Sequence, residues 1–198
     1  WQGSIAQIMA ASFIPYLMLG VVKNSEKPSL RRVLAIALPY FALFMTHTPM
    51  MYISTLYAAP LAFFAPMFYS KFDIKQIFRR WVFIGGGFVL GAALAAIFLM
   101  PTLLELQYIQ ISQGIDETVN YLIEQYLPLS EIFTLPRLID STDLYLDFPR
   151  TLGLVGGVLA IIGILALLKR KQFGLVAISV AGLAFTIFMM LDISFDVW

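Results

Sequence analysis

His47 is the single histidine of the chain. It sits in Thr46-His47-Thr48-Pro49, where an imidazole could hold a substrate or pass a proton. Glu105 follows Pro101 by one helical turn and offers a carboxylate to act as general base or to ligate a metal. Arg150 lies just ahead of an apolar run, so its guanidinium and the backbone N–H groups of a helix start could together hold a phosphate. Arg137 is the other base of that region, while Asp140 and Asp143 form a loose D-x-x-D pair. Each has a plainer reading. His47 can satisfy backbone polar groups at a tight turn, Glu105 can simply face water, Arg150 can snorkel to an interface, and D-x-x-D is ordinary turn chemistry. The P-loop, nucleophile-elbow, zincin and dinucleotide-binding signatures do not occur.

The elements that must position these groups are apolar. Of 198 residues, 60% are hydrophobic and 13% charged, with a mean hydropathy of +0.85, too few polar side chains to cover a water-soluble surface. A net charge of +1 gives no field for nucleic acid. With no cysteine and one histidine, thiol chemistry and disulfides are excluded and no metal-ligand set is read.

The spacing predicts an all-α, polytopic transmembrane bundle of about six spans. The first covers residues 4–22. Residues 33–69 contain no Asp, Glu, Lys or Arg over 37 positions, too long for one crossing, and Pro49 splits them into 33–46 and 49–69. The others are 81–100, closed by Pro101, then 151–168 and 173–191. Residues 101–150 form a long outer loop. In it, Ile115, Val119, Leu122, Ile123 and Tyr126 recur at helical spacing and predict an amphipathic helix along the membrane. Two G-x-x-x-G faces, Gly87/Gly91 extended by Ala95 and Gly153/Gly157, predict close helix approach.

Charge supports this division. Eleven of the 13 bases fall on one side, joined only by Glu26 and Asp73, and ten acids fall on the other with Arg137 and Arg150. Lys- and Arg-rich short loops stay in the cytoplasm, so both chain ends, the His47 turn and the long loop are expected outside the cytoplasmic membrane. No span carries an ionisable group at its centre, where ion-coupled transporters place one. The candidates, including Asp192, cluster at the outer ends. The chain opens on Trp1 and closes in the polar stretch ending at Trp198, and is expected to be an excerpt of a longer membrane protein, Ser194–Trp198 beginning a further outer loop.

The order of features also carries a resemblance. A Gln2-Gly3-Ser4 start leads through the hairpin at Thr46-His47 to Phe98-Leu99-Met100-Pro101-Thr102-Leu103-Leu104-Glu105. Tyr108-Ile109-Gln110, Pro136-Arg137 and Leu152-Gly153-Leu154 follow. This resembles bacterial polytopic membrane proteins labelled as 6-pyruvoyl-tetrahydropterin synthase-related, similar in layout to GT-C glycosyltransferases and YfhO-like proteins. The resemblance implies transfer of a sugar from a polyprenyl-phosphate donor at the outer membrane face, with membrane lipids and the lipid-linked donor as partners. The catalytic acid of such enzymes, usually an aspartate on the first outer loop, would lie upstream of Trp1, as would any divalent metal. By position, His47 and Glu105 are the matching elements and the catalytic candidates; Arg150 and Arg137 are the substrate-binding ones. The competing classes are a transporter or lipid flippase and a non-catalytic membrane assembly subunit.

Overall fold

The computed structural model describes residues 2–105 and 154–191, and all of their regular structure is helical. Residues 1–109 and 110–198 form two separate units. The first holds α1 (Gln2–Glu26), α2 (Leu30–Thr46), α3 (Thr48–Tyr69), α4 (Ile74–Leu94) and α5 (Ala96–Glu105). The second holds α6 (Leu154–Lys169) and α7 (Phe173–Met190), which pack on each other. The predicted amphipathic helix lies outside the described residues, and so does Gly153.

α1, α3 and α4 are each long and apolar enough to cross a membrane, whereas α6 and α7 are apolar but shorter. Apolar side chains also line the perimeter of the first unit: Ile8 is 71% exposed, Val89 70% and Ile97 90%. A water-soluble bundle would bury these residues, whereas lipid accepts them. The architecture is therefore a helical bundle of the membrane type.

α2 is the centre of the first unit. It packs against α1 on one side and α4 on the other, while α1 also packs on α3. Ala10, Leu17 and Val21 of α1, Ile36, Tyr40 and Leu43 of α2, and Ile84 of α4 form the core. Glycine permits the approach. A Cβ on Gly87 would fall 2.7 Å from the Ile36 Cβ, and one on Gly91 would fall 2.8 Å from the Ala37 carbonyl oxygen. A Cβ on Gly157, from the other predicted face, would meet nothing within 4 Å.

Tyr40 ties three helices together. Thr55 donates its one hydroxyl proton to the Met51 carbonyl at 2.8 Å, so the Tyr40 hydroxyl must be the donor in their 3.0 Å contact. The Tyr40 ring meets Phe44 and Phe88 edge-on, at centroid distances of 5.0 and 4.9 Å.

Four helix boundaries differ from those expected from the sequence. α1 continues past residue 22 to Glu26 and α2 begins at Leu30, so Lys23, Arg31 and Arg32 are helical. α4 begins at Ile74 rather than at residue 81, because the Asp73 carboxylate accepts the backbone N–H groups of Lys75 and Gln76 and starts the helix there. The break expected at Pro101 falls at Ala95 instead, and Pro101 lies inside α5. A proline cannot donate to the carbonyl four residues back and crowds it, so the disturbance belongs on its N-terminal side.

Candidate functional site

At the outer end expected from the charge pattern, His47 joins α2 to α3 in extended backbone, with Pro49 in the first turn of α3. Its Nδ1 accepts the Met50 N–H at 3.3 Å, and its own N–H donates to the Leu43 carbonyl at 3.0 Å. One half-buried residue thus ends α2 and caps α3, the backbone-satisfying role. With Nδ1 taken by the Met50 N–H, Nε2 is the ring nitrogen that the cap does not use.

Glu105 is the last residue of α5. Arg137, Asp140, Asp143, Arg150 and Asp192 lie outside the described residues, so His47 and Glu105 are the candidates with a described backbone position. Among the described residues, no group of three His, Asp or Glu side chains is gathered that could hold a metal ion.

The opposite, basic end carries buried polar groups that the sequence reading counted only as charge. Arg80 of α4 is buried and its Nη1 donates to the carbonyl oxygen of Ser25 near the end of α1. Ser25 is fully buried and donates to the Val21 carbonyl at 2.8 Å. Asn24, also fully buried, accepts the Ser29 N–H at 3.4 Å and leaves its Nδ2 without a partner. Arg32 donates to the carbonyls of Lys23 and Lys27, the latter at 2.6 Å. Two arginines therefore donate to carbonyls around the end of α1, and positive charge there also suits the helix dipole. A signal for Arg80 existed: Ile77, Arg80, Ile84, Gly87 and Gly91 alternate by three and four, placing a base on the packing stripe.

Two grooves open between helices of the first unit. One, of about 330 Å³ between α3 and α4, is bordered by Thr55, Ala62, Phe63, Trp81, Ile84 and Phe88. The Trp81 indole stacks on Phe63 at 5.1 Å and donates to the Phe63 carbonyl at 3.1 Å. Its lining is almost wholly apolar, so it offers little to orient a polar substrate. The other, of about 530 Å³ between α1 and α2, ends at Lys23 and Arg31.

Compared with family models, with curated proteins and with solved structures, the chain gives no significant match.

Proposed function

We propose that this chain is a helical section of a multi-pass protein of the cytoplasmic membrane, crossing it about six times with both ends outside. We further propose a GT-C-like glycosyltransferase that takes a polyprenyl-phosphate-linked sugar at the outer face. The observation that carries this reading is the placement of charge. The apolar stretches of α1, α3 and α4 contain no acid, and the Tyr40–Thr55 contact within the bundle is made by neutral groups, the buried Arg80 lying at the basic end. Ion-coupled transport ordinarily needs an ionisable group near the midplane, so the transporter alternative lacks its usual machinery here. Ten acids, Arg137 and Arg150 instead gather on the side assigned to the outside. In this reading the catalytic carboxylate lies outside these 198 residues, and the present helices supply walls and the outer loop.

A donor phosphate at that face needs a cation, and Arg150 beside the start of an apolar run is the best placed. In the full-length protein, Arg150→Ala weakens binding of a polyprenyl phosphate, and Arg150→Lys restores it only in part because an ammonium cannot make the two-pronged contact. Lys171→Ala, on the opposite side, leaves binding unchanged. Undiminished binding by correctly inserted Arg150→Ala would reduce Arg150 to an interfacial anchor and remove the donor site from this section.

A further inference from the structure

The groove between α1 and α2 has a shape and a charge distribution that match one kind of molecule. Phe13, Tyr16 and Gly20 line it from α1, and Leu34, Ala35 and Leu38 from α2. These positions recur by three and four, so each helix presents one continuous stripe. Gly20 brings the helices together at the floor, since a Cβ there would lie 2.5 Å from the Ala35 carbonyl oxygen. From Phe13 to Lys23 the stripe climbs about 15 Å at 1.5 Å per residue, which is the depth of one leaflet of a hydrocarbon core of about 30 Å.

At one end only, Lys23 and Arg31 close the groove from opposite helices. Both are exposed, and Glu26 forms an ion pair with neither. Their neighbours are otherwise engaged: Arg32 binds carbonyls of the α1 end, and Arg80 is buried against Ser25. An apolar slot one leaflet deep with two uncommitted cations at its mouth is complementary to a lipid that has an acyl chain below and a phosphate above. We propose that this groove binds an anionic phospholipid, one acyl chain lying along Tyr16 and Leu34 and the phosphodiester held between Lys23 and Arg31. The site is at the basic end, opposite the proposed sugar-donor face, and stands whether or not the chain transfers sugars.

Photo-crosslinking tests it on the whole protein in phosphatidylcholine vesicles doped with phosphatidylglycerol that carries a diazirine in its acyl chain. Label is expected in the stretches 13–20 and 34–38, and it falls as ionic strength rises. Lys23→Gln and Arg31→Gln each reduce it about fivefold. Lys75→Gln, a base outside the groove, does not. Ala35→Phe keeps both charges but fills the slot and abolishes the label. At matched ionic strength, inorganic phosphate does not compete beyond what chloride does, because it lacks the chain. Equal labelling by diazirine phosphatidylcholine, full labelling of the folded Lys23→Gln/Arg31→Gln variant, or competition by inorganic phosphate beyond that of chloride would each overturn the proposal.

Discussion

The Arg80 guanidinium donates to the Ser25 carbonyl oxygen, fastening the first turns of α4 to the end of α1 across 55 residues of sequence. Both residues are buried, so neither group has water to fall back on. The contact also makes Arg80 part of the fold and not merely a topogenic charge.

Arg80→Leu strands the Ser25 carbonyl and is expected to lower stability by about 1–3 kcal/mol. Arg80→Lys, which keeps one donor and the charge, recovers part of the loss. Thermal unfolding in detergent checks this, and a Leu variant as stable as the parent would show that the contact contributes nothing.

Adjacent glycines should behave oppositely. Gly87→Ala and Gly91→Ala drive a methyl into Ile36 and into the Ala37 carbonyl, at a cost of about 1–3 kcal/mol. Gly86→Ala meets open space, so it is neutral or slightly stabilising through helix propensity. Parallel melting curves of the three variants separate the effects.

His47→Ala removes the cap of α3 and is expected to cost about 1 kcal/mol. His47→Asn supplies another acceptor at that position and keeps most of the stability. An activity assay on the Asn variant then isolates chemistry from capping, since only an imidazole with a chemical role would be missed.

Lys171 turns the chain between α6 and α7 with φ of 56°, and Gln172 N–H returns to the Leu167 carbonyl at 3.0 Å to finish α6. Lys171→Gly relieves the left-handed strain and is expected to stabilise by up to about 1 kcal/mol. Lys169 and Arg170 keep that loop basic. Denaturant unfolding reads the change.

The hairpin at His47 was legible because polar Thr46-His47-Thr48 interrupts the apolar run directly before Pro49, whereas Pro39, Pro60 and Pro66 lie inside helices. The tight α2–α4 approach was legible from Gly87 and Gly91, whereas Gly153 of the second G-x-x-x-G lies outside the described residues. Small-residue spacing says that a backbone can be approached, not which helix approaches it. The start of α4 was missed because Lys75, Arg79 and Arg80 look like the end of a loop, whereas the Asp73 cap folds them into the helix. The groove cations were missed for a related reason. Lys23 and Arg31 are separated by a turn in sequence and meet only when α1 and α2 fold back on each other.

An outer-face site requires the acidic loops outside and the basic loops inside, and the chain has no cysteine to interfere with labelling. Single cysteines at Lys27, Lys75, Arg170, Thr48, Glu124 and Ser194, probed in intact cells with a membrane-impermeant maleimide, test this requirement most directly. Thr48, Glu124 and Ser194 are predicted to label at once, and Lys27, Lys75 and Arg170 only after permeabilisation. Immediate labelling at Lys75 with protection at Glu124 would invert the topology and contradict an outer-face site.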